Sequence, residues 1–159
     1  QLARAAIRFA AVGDGCDPDV VPWVEEGVRR AQTLVRDALD RPGSRCSFLV
    51  ATIDDTVVGM IGQASPSEII RNALPDLSNT VPEIICLFVD PVHHRCGIGR
   101  ALFLEIIIEI RRLGIDRYVL DCGYRSSQEF WRRILGKPSM TLKDHWAIGY
   151  DHLIWSLEL

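Results

Sequence analysis

The spacing of apolar residues along this 159-residue chain predicts alternating strands and helices. Short apolar runs that end at turn residues are typical of strands, and apolar positions repeated every three or four residues are typical of helices. Strands are predicted over residues 6–12, 47–53, 56–62, 83–89 and 117–122, near 140–142 and within 146–159. Helices are predicted from residue 22 to about 39, over 98–113 and over 127–135. This order of elements is that of an α/β protein.

Turn-forming residues separate these segments. The pair at 54–55 stands between two strand-like runs and favours a tight hairpin with antiparallel strands. The sequence Pro-Gly-Ser at 42–44 is expected to end the first predicted helix. Residues 63–82, rich in Ser, Pro and Asn, predict a long connection with one helical turn. Long connections in compact domains are often functional.

The strand at 83–89 is almost uninterruptedly apolar, as expected at the centre of a sheet that is covered on both faces. A predicted helix and a second strand follow it, over 98–113 and 117–122. Such a unit crosses over right-handedly and leaves its two strands parallel. The sequence therefore predicts a mixed, mainly antiparallel central sheet with one parallel βαβ pair and helices on both faces.

Length and composition favour one globular domain spanning residues 1–159. Hydrophobic residues make up 48% of the chain and charged residues 25%, the usual balance of a folded domain. A net charge of -3 gives no basic field for a phosphate backbone, so we expect no nucleic acid partner. No apolar run approaches a membrane span, and we expect no membrane association.

Cysteine usage favours a reducing, cytoplasmic location. The chain has five cysteines, an odd number, without the spacing of a disulfide framework or a zinc site. The start at Gln1 shows no signal-peptide pattern, and the missing Met suggests a trimmed chain or a fragment of a larger protein.

Residues 93–100 are the most informative for function, because two glycines fall between a buried strand and a helix start. Backbone N–H groups at such a turn are unpaired and can bind phosphate. A dinucleotide-binding fingerprint would need glycine at Leu102, and the Gly-Lys-Ser/Thr of a P-loop is absent. A turn that binds nothing is the structural alternative.

Two other chemistries are not favoured by this segment. His93, His94 and Cys96 are too close along one turn to converge on a metal, so no metal site is predicted. There is no Gly-x-Ser-x-Gly elbow of a serine hydrolase. A covalent acyl-cysteine at Cys96 is disfavoured as well, because phosphate is its expected neighbour.

The segment resembles motif A of the GNAT acetyltransferases, Arg/Gln-x-x-Gly-x-Gly/Ala, with His94 in the first position. The resemblance implies acetyl-CoA as cosubstrate and a parallel strand pair that splays to admit its pantetheine arm. The pyrophosphate would bind the turn formed by His94, Arg95, Cys96, Gly97, Ile98, Gly99 and Arg100. Pantetheine would pair with the backbone of Leu87, Phe88 and Val89.

Glu83 is the candidate general base, since it lies fourteen positions before Gly97, the offset at which similar family members place a catalytic glutamate. A carboxylate with a pKa near 4.3 is a poor base for ammonium unless burial raises the pKa or water relays the proton. The alternative is that Glu83 is a solvated charge at a strand end.

A second resemblance, to motif B of the family, covers residues 130–136, with Trp131 where the family usually has tyrosine. That tyrosine often protonates the departing thiolate, and an indole N–H cannot. Tyr124, Tyr150 or water are the remaining sources of a proton. The general acid is therefore left unassigned.

These observations predict an N-acetyltransferase that moves an acetyl group from acetyl-CoA to a primary amine by direct attack. The acceptor, a small molecule or a protein amine, is not readable from the sequence. A non-catalytic acyl-CoA-binding or sensing module is the first alternative, and a purely structural domain is the second. A homodimer is a further hypothesis, which rests on four apolar residues of the tail: Leu153, Ile154, Trp155 and Leu157.

Overall fold

The computed structural model describes residues 1–19, 21–41 and 45–159. Six strands form one sheet in the order β1-β2-β3-β4-β6-β5. The strands are β1 Ser47–Ile53, β2 Thr56–Ala64, β3 Glu83–Val89, β4 Arg117–Cys122, β5 Met140–Ala147 and β6 Tyr150–Glu158. The helices are α1 Leu2–Gly13, α2 Pro22–Asp40, α3 Glu68–Ala73, α4 Ile98–Arg112 and α5 Arg125–Leu135. The helix stop predicted at 42–44 lies outside the described residues.

The predicted architecture is confirmed. Among the described strands, β3 and β4 pair in parallel, and the four other pairings are antiparallel. Helix α4 connects the two parallel strands. The hairpin predicted at 54–55 joins β1 to β2, with Asp54 and Asp55 both at positive φ. The long connection at 63–82 contains the single short helix α3.

The strand predicted at 6–12 is wrong, because this segment is part of helix α1. Its buried residues are Ile7, Ala10 and Ala11, at the spacing of one helix face. Alanine is the strongest helix former, and alanines at 3 and 5 favour a helix before the apolar run that suggested a strand. The spacing of apolar residues over 6–12 alone therefore does not reveal the helix.

Three apolar clusters cover the two faces of the sheet. Helices α4 and α5 pack on one face, against residues such as Leu120 and Trp155. Helix α3 packs on the opposite face, against Val119 and Ile154. Helices α1 and α2 form a third cluster, which includes Phe88 and therefore lies on the face opposite to α4 at this strand. No described helix is long and apolar enough to cross a membrane.

The residues behind the dimer hypothesis are mostly internal. Leu153, Ile154 and Trp155 are fully buried. Strand β6 lies between β4 and β5, so it offers no sheet edge to a second chain. Dimerisation stays a prediction, and it would have to use another surface, such as the edge strand β5.

Candidate active site

The parallel strands β3 and β4 separate shortly after they begin. They are in register at Glu83 with Val119 and at Ile84 with Leu120, and the β3 residues after Ile84 have no β4 partner in register. The other edge of β3 stays paired with β2 as far as Val89. Backbone groups of the second half of β3 therefore face the gap between the two parallel strands.

A β-bulge bends β3 at the start of this gap. Cys86 has a φ of 53°, unusual for a residue other than glycine, and the register with β2 shifts between Met60 and Gly62. Bulges bend the strand that carries them and recur beside active sites. Burial raises the pKa of the Cys86 thiol to about 12, so this thiol is neutral and a poor nucleophile at pH 7.

The predicted phosphate-binding turn follows β3 directly. The carboxylate of Asp90 accepts the N–H of Val92 at 3.0 Å and starts a short 3-10 turn. The ring Nε2 of His94 donates to the carbonyl oxygen of Val89 at 3.1 Å, since a carbonyl can only accept. The His94 ring also meets Phe9 of α1 edge-on, with centroids 4.7 Å apart. His94 thus fastens the turn to the end of β3.

Gly97 shapes the turn itself. Its φ of 84° favours glycine, and a Cβ atom there would meet no heavy atom within 4 Å. It is the residue before α4, whose first N–H groups lack partners within the helix. The turn is exposed at His94, Arg95, Cys96, Gly97 and Arg100. An anion from solvent can therefore reach these amides.

Gly59 of β2 sets the position of α4, a role that the sequence did not reveal. A Cβ atom at Gly59 would lie 2.9 Å from both the Ile98 and Leu102 side chains. Any larger residue at position 59 would force the Ile98 and Leu102 side chains at the start of α4 to shift.

Glu83 begins β3 and is almost fully buried, with 1% of its surface exposed. Its Oε2 accepts a hydrogen bond from the backbone N–H of Ser67, just before α3. Burial, and after it the charge of Asp121, raise the pKa of Glu83, and the Ser67 hydrogen bonds and the charge of Arg30 lower it, with a net rise to about 7. The interpretation of Glu83 as a solvated strand-end charge is therefore wrong.

Three residues of a polar cluster that reaches Glu83 through Asp121 were not identified as site residues from the sequence: Asp121, His152 and Trp146. Asp121 of β4 lies two positions after Val119, the register partner of Glu83, and so on the same face of the sheet. His152 Nε2 lies 3.1 Å from Asp121 Oδ2, and Trp146 Nε1–H donates to His152 Nδ1 at 3.0 Å. The sequence offered one signal for two of them, since Asp121 and His152 are polar residues within the apolar strands β4 and β6.

The contact between His152 and Asp121 is close but not aligned as a hydrogen bond. Both atoms are buried and neither has an aligned partner among the described residues. The 3.1 Å separation still places the imidazole directly against the carboxylate, so we treat the contact as electrostatic. This arrangement requires Gly123, because a Cβ atom there would lie 2.7 Å from Trp146 Nε1.

Trp131 belongs to the core. Only 7% of its surface is exposed, and it packs edge-on against Phe103 and Phe130, with centroids 5.5 and 5.0 Å apart. Tyr124 packs near Phe88 of β3 in the α1–α2 cluster. Burial raises the pKa of Tyr124 to about 12, so its phenol keeps its proton. The hydroxyl of Tyr150 contacts Cys16 instead, at 3.7 Å.

The described part of the chain contains no group of three His, Cys, Asp or Glu side chains placed to hold a metal ion. The candidate site consists of an exposed glycine turn, a strand edge without a partner in register and a buried carboxylate.

Comparison with known proteins identifies the class. The sequence profile of the acetyltransferase (GNAT) family matches residues 14–136, more than half of the chain. The chain therefore belongs to the GNAT acetyltransferase family, and the resemblance noted in the sequence is confirmed. Membership supports acyl-CoA-dependent acyl transfer as the general activity. No match was found among curated proteins.

Solved structures share the fold. A GNAT-family protein from Desulfovibrio desulfuricans is 24% identical, with a TM-score of 0.70 over 99% of this chain and 95% of that one. The PaiA N-acetyltransferase from Thermoplasma acidophilum, solved with coenzyme A, is 16% identical, with a TM-score of 0.65 over 99% and 89%. The ribosomal-protein-S18-alanine N-acetyltransferase from Escherichia coli is 16% identical, with a TM-score of 0.57 over 77% and 75%.

Proposed function

We propose that this protein transfers an acetyl group from acetyl-CoA to a primary amine by direct attack, with Glu83 as the general base. The observation that carries the proposal is the position of Glu83. It is a buried carboxylate with a pKa raised to about 7, and it stands where β3 and β4 begin to separate. A base of this strength can take a proton near neutral pH.

The fit to acetyl-CoA rests on the exposed turn and on the separated strands. The N–H groups at the start of α4 would hold the pyrophosphate, and the open space around Gly97 leaves room for it. Backbone groups of Leu87, Phe88 and Val89, which have no β4 partner in register, would pair with pantetheine. When bound there, acetyl-CoA supplies the thioester.

The reaction requires one proton to leave the amine. Its nitrogen forms a bond to the acetyl carbon, the carbon–sulfur bond breaks, and the proton passes to Glu83 directly or through a water that Glu83 orients. A backbone N–H between Leu87 and Val89 would polarise the carbonyl oxygen. The departing thiolate takes a proton from water, and Glu83 then releases its proton to solvent. The neutral Cys86 thiol supports a mechanism without an acyl-enzyme.

A nitrogen acceptor is supported by the names of two structural neighbours, both N-acetyltransferases. The acceptor surface would include the connection at 63–82, since Ser67 contacts Glu83 there. We expect a small amine or a protein amine.

The decisive experiment is calorimetric titration with acetyl-CoA. Gly97→Glu puts a carboxylate against the pyrophosphate, and we expect at least about 100-fold weaker binding as charge-assisted hydrogen bonds are lost. Gly114→Glu is the matched control, because Gly114 also has a positive φ in open space, at the other end of α4. Equal binding by the Gly97→Glu variant and the parent would refute the site, and a parent that does not bind would refute the function.

A non-catalytic acyl-CoA-binding module is the second candidate. It is favoured by the burial of Trp131 in the core at the position where the family motif has tyrosine. One experiment distinguishes the acetyltransferase from the non-catalytic binding module. Acetylation of any amine by the parent, lost in Glu83→Gln, would exclude the binding module.

A further inference from the structure

A row of side-chain contacts runs from Trp146 through His152 to Asp121. These contacts fix which nitrogen of the His152 ring carries its hydrogen. An indole N–H can only donate, so His152 Nδ1 accepts from Trp146 Nε1 and carries no hydrogen. A neutral imidazole then has its proton on Nε2, the atom that faces Asp121. An imidazole that accepts at Nδ1 carries a single N–H hydrogen, and this hydrogen lies on the side of Asp121.

This chain fixes a second carboxylate in the site. The carboxylate of Asp121 lies against the uncharged imidazole of His152. The imidazole orients the Asp121 side chain and does not neutralise its negative charge. Both residues are largely buried, with 18% of the Asp121 side chain and 5% of the His152 side chain exposed. Little solvent therefore screens the negative charge of Asp121 from Glu83 on the next strand.

The other groups that face Glu83 come from two helices and from its own strand. Arg30 acts from α2, and the Ser67 N–H acts from the start of α3. Cys86 on β3 is neutral at pH 7, since burial raises its pKa to about 12. The ring of His145 lies 5.3 Å from that of His152, on its far side from the strand pair. Asp121 is therefore the negative group that acts on Glu83 most directly.

We propose that Trp146, His152 and Asp121 are a chain of positioning residues, which holds a second negative charge beside Glu83 and so strengthens Glu83 as proton acceptor. The inference rests on the proposed function, because it assigns the chain to the base of that reaction. Asp121 itself takes up no proton in the reaction. Its charge makes the proton lost by the amine bind more tightly to Glu83.

The test reads the proton on Glu83 directly, by carbon NMR of protein labelled at the glutamate carboxyl groups. Glu83→Gln identifies the Glu83 signal, and the parent should show a midpoint at about pH 7. In Asp121→Asn the midpoint should fall by about one pH unit, the scale of a close charge. Asp55→Asn removes the same charge from the exposed β1–β2 turn and should leave the midpoint unmoved.

Trp146→Phe provides an independent variant on a side chain that is 56% exposed, so folding should tolerate it. Without the indole N–H, the His152 ring loses the hydrogen bond that fixes it and holds Asp121 less firmly, so the Glu83 midpoint should fall by a smaller amount. Nitrogen NMR should show His152 of the parent at pH 7 with its proton on Nε2 alone. A residue that only supports packing would change neither signal.

An unchanged Glu83 midpoint in both Asp121→Asn and Trp146→Phe would overturn the proposal, as would a parent His152 protonated on Nδ1. If Asp121→Asn does not fold, Trp146→Phe and the nitrogen spectrum decide. These titrations need neither acetyl-CoA nor an amine. Failure of the parent to bind acetyl-CoA would therefore refute the proposed function separately. An unchanged Glu83 midpoint in the variants of a protein that binds acetyl-CoA would refute only the role proposed for Trp146, His152 and Asp121.

Discussion

The glycine turn after β3 and the polar cluster around Glu83 form two halves of one site, and they are built in opposite ways. The turn uses consecutive residues, is exposed, and offers backbone N–H groups at Gly97 and the start of α4. The cluster uses side chains from four strands, β3, β4, β5 and β6, and its members Glu83, Asp121 and His152 are largely buried and distant in sequence. In the proposed reaction, binding of the cosubstrate would therefore depend on local geometry, and proton transfer would depend on tertiary contacts.

This difference explains which half a sequence motif can reveal. The conformation of the turn at the strand–helix junction depends on the glycines within it. A short sequence motif is therefore enough to predict this turn. The environment of Glu83 exists only when Asp121 and the start of α3 are brought to it. Variants should therefore separate the two halves.

The largest effect should follow from Glu83→Gln. We expect kcat/KM to fall by about 10²–10⁴-fold, the usual contribution of a general base, with acetyl-CoA affinity unchanged. Steady-state kinetics and calorimetry on the same variant test this separation. Glu105→Gln on the exposed side of α4 is the matched control. Loss of cosubstrate binding in Glu83→Gln would show that the two halves are not independent.

The pH dependence of stability should identify the same carboxyl group. The folded-state pKa of Glu83 is raised from 4.5 to about 7, so folding favours its protonated form. Its stabilising contribution is complete below about pH 4.5 and is lost as the pH rises through about 7, an effect of about 3 kcal/mol. Urea unfolding of the parent and Glu83→Gln at several pH values gives the difference. A pH-independent difference would contradict the assigned shift.

Gly123→Ala should disrupt the cluster without touching the turn. The new methyl group would lie 2.7 Å from Trp146 Nε1 and 3.0 Å from His152 Nδ1, so their hydrogen bond must break or shift. We expect a loss of about 1–3 kcal/mol in the free energy of unfolding, typical of overpacking. Denaturant unfolding measures it, and acetyl-CoA affinity should stay unchanged. A variant as stable as the parent would mean that Trp146 moves freely.

Gly99→Ala should have the smallest effect, although Gly99 lies in the turn that we propose binds phosphate. Gly99 does not have a positive φ, and a Cβ atom there would contact Phe130 at an ordinary 3.5 Å. Alanine should stabilise α4 by about 0.5–1 kcal/mol and leave acetyl-CoA affinity within about twofold. Thermal unfolding and calorimetry check both. A large loss of affinity would show that the second glycine is needed for close approach of the pyrophosphate.

Sequence patterns predicted much of the fold because most segments have a clear period. The continuous apolar run at 83–89, the turn at 54–55 and the helical spacing from residue 22 all gave elements that the structure confirms. The segment 6–12 failed because a short apolar run fits either period, and the alanines before it decided in favour of a helix. The interior position of β6 was equally hidden, since strand order depends on long-range pairing.

By itself the sequence determined the order of elements, the glycine turn and its family, because these depend on neighbours along the chain and on backbone conformation. It also singled out Glu83, although not its surroundings. The tertiary structure alone decided that Glu83 is buried beside Asp121, that His152 and Trp146 stand behind Asp121, and that Trp131 lies in the core. Burial and the distance between charges depend on contacts between strands that are far apart in sequence, and those contacts control the proton affinity of a carboxylate.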